Sequence, residues 1–251
     1  MGGLTEAKFT DKGMRRIAQQ YFGDTRLAEL LKPSLFTAYN LLGRQNFFFR
    51  QHRAVQYPHE DFLLRDMIRG CSAAPIIFPV ARVRSMANRL YHFIDGGIFA
   101  YNPAACAYTE VRKLHSDKHA RDMVMLSLSG GTYINVELPD DNDRDWGAWE
   151  WMSAIHYIAS ASQVGVVNSQ MEQMFLTCEN RNQYLRIHPG SKMDAMQLDE
   201  TNPKTLRTMC ATAAQVAEQY DRRLDAFVDL LTKEASQLSA ASEAQIGATG
   251  S

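Results

Sequence analysis

The 251-residue chain has no cysteine pair spaced CxxC. Its four cysteines, Cys71, Cys106, Cys178 and Cys210, lie far apart, which argues against a zinc knuckle or a disulfide framework and fits a reducing compartment. No apolar run approaches the roughly 18–20 residues that a membrane span needs. The opening "MGGLTEAKFTDKG" has no apolar core of the kind a signal peptide carries. A cytoplasmic location is the expectation, with export by another route or peripheral membrane association left open. The formal net charge of −1 gives no long-range attraction for nucleic acid or an anionic surface. The basic clusters, Arg50-Gln51-His52-Arg53 and Arg82 to Arg89, read as solvated faces. The acidic stretch "PDDNDRD" lacks the spaced ligands and glycine of a calcium loop, so it reads as solvated and no metal is implied. None of the fifteen glycines is followed by another four residues later, so the chain holds no G-x-S-x-G.

What is present is an ordinary globular composition, with 45% apolar and 22% charged residues. Met14, Ile17, Ala18 and Tyr21 recur at helical spacing behind Thr10-Asp11, and Gly23 stops that helix. "SLFTAYN" and "QNFFFRQ" read as two strands joined at Gly43, and Asp61 precedes a helix over "FLLRDMIRG". Tyr91–Ile94 predicts a strand. Asn102-Pro103 then caps and starts a helix through Leu114. Asp122–Gly131 is apolar almost without alternation, as strands covered on both faces are in parallel sheets. Strand, helix, strand in that order predicts a βαβ unit. Two helices follow, Trp146–Ala161 and Val164–Cys178, then a strand in "QYLRIHP". The last helix starts at Asn202-Pro203 with Leu206, Cys210, Ala213, Ala217, Tyr220, Leu224, Phe227 and Leu231 on one face. Residues 1–235 read as one domain and 236–251 as a flexible tail.

The stretch "YHFIDGGIFAYNPAA" places a carboxylate where a strand ends and a helix is about to begin. Alternation puts Tyr91, Phe93 and Asp95 on one side and His92 with Ile94 on the other. Asp95 would sit at the carboxyl edge of a parallel sheet, where open α/β folds place ligands. Gly96 and Gly97 permit positive φ and close approach of another group. Asp-Gly-Gly is also a common turn composition, so a simple turn cap is the competing account.

The flanking residues carry a resemblance. "FIDGGIFAYNPA" resembles the second active-site block of patatin-like phospholipases, in which Asp-Gly-Gly or Asp-Gly-Ala precedes an Asn-Pro helix start. "KFTDKGMRRIAQQYFGDTRLAELL", "FLLRDMIRGCSAAPIIFP" and "MLSLSGGT" are similar to that family's neighbouring segments. "DWGAWEW" and "NQYLRIHP" fit its bacterial C-terminal part. The match runs from about Lys8 to about Leu231. It implies an α/β, three-layer fold with a mainly parallel central sheet whose N-terminal strands lie outside this chain. It also implies hydrolysis of acyl esters in lipids by a serine–aspartate dyad. Asp95, within the Asp95-Gly96-Gly97 motif, maps to the general base, and no cofactor is implied.

The family's nucleophile elbow and glycine-rich oxyanion loop have no counterpart here. Ser72 maps to a non-nucleophilic position, and Ser127 and Ser129 lie on or just past a strand. His92 faces away from Asp95, and no His or helix N-terminus is placed to activate Cys71. Two accounts follow. The chain supplies the aspartate half of a lipid acyl hydrolase, inactive alone, its partner being a lipid or other acyl ester. Alternatively it is a non-catalytic relic or interaction module that binds acyl chains. Self-association, or a partner restoring missing strands, is expected in either case. Trp146, Trp149 and Trp151 read as core, with an acyl groove as the alternative.

Overall fold

The computed structural model describes residues 6–131, 147–176, 183–190 and 199–248. The chain divides into two compact units, Met1–Ala107 and Tyr108–Ser251.

The first unit is built on a four-stranded sheet. β1 (Leu35–Asn40) and β2 (Gln45–Arg50) form a hairpin closed by loop 41–44, where Arg44 takes φ +48°. β3 (Ala81–Arg84) and β4 (Leu90–Asp95) form a second hairpin, turning through Asn88 at φ +61°. β4 pairs antiparallel with β1, giving the order β2-β1-β4-β3. The expected mainly parallel central sheet is not what these strands form. Both hairpin connections are far shorter than the dozen or more residues that a parallel crossover needs.

Alternation sorts side chains between the two faces. Ala38, Phe49, Val83, Tyr91 and Phe93 point into the core with Phe62, Leu64 and Met67. Phe49, Phe62 and Phe93 are fully buried, and their rings meet mostly edge to face, with centroids 4.9–6.1 Å apart. α1 (Lys12–Phe22) packs on α3 (Leu64–Cys71), and α2 (Gln51–Gln56) follows β2 directly. Gly70 lets α3 lie close on β4, because a Cβ there would sit 3.2 Å from the Phe93 ring. On α1 only Ala18 of the predicted row is buried; Ile17 and Tyr21 are exposed. Asp11 makes no cap bond, and instead pairs with Arg15 at 2.7 Å and with buried Arg69 at 3.1 Å.

Asp61 does not open α3, which begins at Leu64. It is 2% exposed, and its Oδ1 accepts from the N–H groups of Phe62 (3.0 Å) and Ala28 (3.1 Å). Leu27 N donates to Phe62 O and Leu64 N to Thr25 O, so segment 25–28 is stitched to 61–64.

In the second unit β5 (Met125–Leu128) and β6 (Tyr184–Ile187) pair in parallel, with α5 (Ala148–Leu176) between them in sequence. A βαβ unit therefore exists one strand later than the sequence predicts: β5-α5-β6 rather than β4-α4-β5. α4 (Ala104–Leu114) begins after the Asn102-Pro103 signal as expected. β5 is not covered on both faces, since Leu126 and Leu128 are exposed. One continuous α5 replaces the two helices predicted, because nothing at Ser162-Gln163 breaks the backbone ladder. Trp151 on it is 47% exposed rather than core; Trp146 lies outside the described residues. α6 (Pro203–Ala248) starts where predicted, with Asn202 Oδ1 accepting from Lys204 N at 2.9 Å. Among its described side chains, Thr212, Val216 and Phe227 are buried. The first half of the inward face is thus one residue ahead of the predicted Ala213-Ala217 row, because the larger Val216 is the side chain with more area to bury. No helix among the described residues is long and apolar enough to cross a membrane.

Candidate active site

Asp95 is the last residue of β4, opposite Ala38 of β1. Its backbone N–H donates to Ala73 O at 3.0 Å, anchoring the strand end to the chain leaving α3. Its Oδ1 accepts from Gly97 N at 2.6 Å, capping the 3-10 turn Gly96–Ile98. Phe99 N and Ala100 N then close on Gly96 O. Strand end, carboxylate and turn form one hydrogen-bonded corner, and Asp95 itself is half-buried.

The two glycines are not there for unusual backbone angles. Among the described residues the positive-φ glycines are Gly23, Gly131 and Gly190. Close approach is the reason instead. A Cβ on Gly96 would lie 2.5 Å from the Thr37 carbonyl carbon and closer still to Thr37 O and Oγ1. On Gly97 it would lie 3.0 Å from Asp95 Oδ1 and 3.5 Å from the Tyr101 ring. The first clash is with the backbone of β1, the second with the carboxylate tip. Thr37 is the functional neighbour that the sequence alone hides, because contact between β1 and the β4 corner depends on the antiparallel register.

The neighbouring positions take structural roles. Asn102 is buried, and its Oδ1 accepts from Ala104 N at 3.2 Å, capping α4. Ser72 ends α3, where its backbone N–H donates to Ile68 O. Burial first, and the Asp95 charge second, push the Cys71 thiol up to about 12. Cys71 is therefore a neutral thiol at physiological pH, the opposite of an activated nucleophile. His92 lies on the strand face opposite Tyr91 and Phe93. In the second unit Ser127 is buried and its Oγ accepts from Arg186 Nη1 at 2.7 Å, while Ser129 Oγ accepts from Gly131 N at 3.2 Å. Cys71, Cys106 and Cys210 are reduced thiols, and no group of three metal-ligating side chains occurs among the described residues.

The placement of Asp95 differs from the expectation in one respect. It stands at the carboxyl end of a strand, but between antiparallel neighbours, so the switch-point rule of parallel sheets does not locate it. The Ala73 anchor, the Gly97 bond and the Thr37 seat do.

Comparison with known proteins bears on the same residues. Residues 2–108 match the family model described as patatin-like phospholipase. The chain is 25% identical over 217 residues to patatin-like protein 6 of Arabidopsis thaliana, covering 82% of this chain and 43% of that protein. It is 28% identical over 180 residues to patatin-like protein 8 of the same plant, covering 69% and 34%. A third relative, probable inactive patatin-3-Kuras 1 of Solanum tuberosum, is 23% identical over 205 residues, covering 75% and 54%. The chain thus spans between about a third and just over half of these relatives' lengths. With the Asp-Gly-Gly corner inside the matched residues and relatives aligned over most of its length, the chain resembles the patatin-like phospholipase family.

Proposed function

We propose that this chain carries the general base of a patatin-like lipid acyl hydrolase, and that the base is Asp95. The supporting observation is the 2.6 Å bond from Gly97 N to Asp95 Oδ1. It fixes a half-buried carboxylate at a strand end. A base in this role must lie within hydrogen-bond reach of the hydroxyl it activates, about 2.6–3.2 Å. The serine hydroxyl donates to the carboxylate and passes its proton as Oγ bonds to the ester carbonyl carbon. The proton then leaves on the alcohol as the carbon–oxygen ester bond breaks. Water, deprotonated by the same carboxylate, cleaves the acyl-serine. The serine and the oxyanion donors must come from polypeptide beyond these 251 residues, since no G-x-S-x-G occurs in them.

The test is Asp95→Asn in a polypeptide that joins this chain to an elbow-bearing segment. The amide oxygen still accepts from Gly97 N, so thermal unfolding should stay unchanged while kcat falls by about 10²–10⁴. The 251-residue chain alone, assayed beside it on p-nitrophenyl esters, should not exceed a blank. A retained kcat in the Asn variant reduces Asp95 to a turn cap.

The second reading is a non-catalytic acyl-binding or interaction module. One observation favours it: a relative, patatin-3-Kuras 1, is described as probably inactive. Saturable binding of a non-hydrolysable lipid analogue by this chain, unchanged by Asp95→Asn, would select it.

A further inference from the structure

The second unit holds an open cavity of about 550 Å³, within the range of roughly 300–1,000 Å³ typical of small-molecule sites. Three elements wall it: α5, β6 and α6. Val164, Asn168 and Glu172 recur every four residues along α5, so they share one helix face. Tyr184 and Arg186 are two residues apart on β6 and point to the same side of the strand. Tyr220 and Arg223 stand three apart on α6, with the guanidinium 5.3 Å from the Tyr220 ring centroid.

The lining carries charge of both signs, and the charges are held by neutral groups. Arg186 Nη1 donates to Ser127 Oγ at 2.7 Å, which draws the guanidinium toward β5. Glu172 Oε1 accepts from Asn168 Nδ2 at 2.9 Å, and Asn168 Oδ1 accepts from Tyr184 OH at 3.1 Å. This chain of bonds uses each end of the Asn168 amide once and ties Glu172 to its own helix. Among the described residues, the contacts of Arg186 and Arg223 are the Ser127 bond and the Tyr220 ring, and neither is a carboxylate. His188 lines the cavity too; its Nδ1 accepts from Gly190 N at 2.9 Å, so that nitrogen bears no proton. Opposite charges around one space, each fixed by a neutral partner, suit a molecule that bears both charges itself.

We propose that this cavity binds a small zwitterion, an α-amino acid with a bulky apolar side chain. Arg186 takes the carboxylate through the N–H groups that Ser127 leaves over, since a guanidinium has five. The second oxygen of Glu172 accepts from the ammonium group. Val164 and Leu176, with the Phe175 and Tyr220 rings, face the side chain. The Glu172 carboxylate opposes a phosphate or other polyanion, and the arginines oppose a simple cation. The site lies in the second unit, and its occupancy does not depend on Asp95 acting as a base.

The experiment is calorimetric titration of the full 251-residue chain with L-leucine, L-phenylalanine and L-tryptophan. The N-acetyl derivative of the tightest binder lacks the ammonium, and its amide lacks the carboxylate. At least one free amino acid should bind, and removing either charge should weaken binding about tenfold or more. Glu172→Gln, at an exposed position and checked for unchanged thermal unfolding, should weaken the free amino acid about tenfold and leave the N-acetyl derivative unaffected. That split separates contact with the ammonium from a general disturbance of the cavity. Four results would overturn the proposal: no binding by any of the three, a derivative that binds as tightly as the free amino acid, a Glu172→Gln variant that binds as wild type, or one that loses both ligands equally.

Discussion

At the scale of single residues, the corner distinguishes two glycines that look equivalent in the sequence. A methyl on Gly96 meets the Thr37 backbone, which cannot move without breaking β1 from β4; a methyl on Gly97 meets the tip of a side chain that can turn. Gly96→Ala should therefore destabilise the fold by about 3 kcal/mol or more, and Gly97→Ala by about 1. Denaturant unfolding of the two variants checks the ranking.

Cys71 supplies a pH prediction. Its folded thiol titrates near 12, whereas an unfolded cysteine loses its proton near 8.5. Above the lower value the unfolded state binds fewer protons than the folded one, so stability falls as pH rises. The slope from this group is up to about 1.4 kcal/mol per pH unit between the two values. The difference in stability between wild type and Cys71→Ala should shrink or reverse as pH is raised from 8 to 10. A constant difference would mean that the thiol is not shielded.

At the scale of elements, the loop after α3 holds a conflict. Ile76 takes φ +73° while 71% exposed, and its carbonyl accepts from Lys8 N at 2.8 Å. A β-branched residue in that region carries strain of about 1–2 kcal/mol, which Asn tolerates better. Ile76→Asn should raise the unfolding midpoint and loses little burial; a lowered midpoint would mean that the isoleucine side chain contributes packing not visible in its exposure.

The elements that sequence made legible are those specified by local signals. Asn102-Pro103 and Asn202-Pro203 cap and start helices by their own side chains, and the Phe- and Tyr-rich β1–β2 pair forms as read. The β3–β4 hairpin was missed. Its signal, Ala81-Arg82-Val83-Arg84 alternating in and out with Asn88 at the turn, was absorbed into a charge cluster. Strand direction was misread because pairing partners are nonlocal: an apolar strand followed by a helix fits a parallel crossover, yet β4 finds its neighbours in β1 and β3. On α6 the predicted row from Leu206 to Leu231 includes Phe227, which is buried, but in the first half the bulkier Val216 turns inward in place of Ala217. The Asp95 corner was legible as a motif, and its glycines were given the wrong reason, since only the folded register reveals Thr37.

At the scale of the whole molecule, apolar side chains left in solvent are numerous. Leu31, Tyr21, Leu128, Val55 and Leu42 are exposed by 60–96%. Contiguous apolar surface drives association, so the chain should self-associate with rising concentration and bind a hydrophobic dye. Size-exclusion chromatography with light scattering checks this. A monomer at every concentration, with a sharp unfolding transition and no dye binding, would show that these residues are individually solvated. The stitching of 25–28 to 61–64 bears on how such a molecule opens. A single carboxylate oxygen on Asp61 receives the amides of both Ala28 and Phe62, and with the Leu27–Phe62 and Leu64–Thr25 backbone bonds it closes the intervening polypeptide, carrying β1, β2 and α2, into a contour. Deleting that carboxylate, as in Asp61→Ala, removes the acceptor of both amides at once. Their hydrogen exchange should accelerate together, with the β1–β2 amides following as one cooperative unit rather than fraying strand by strand.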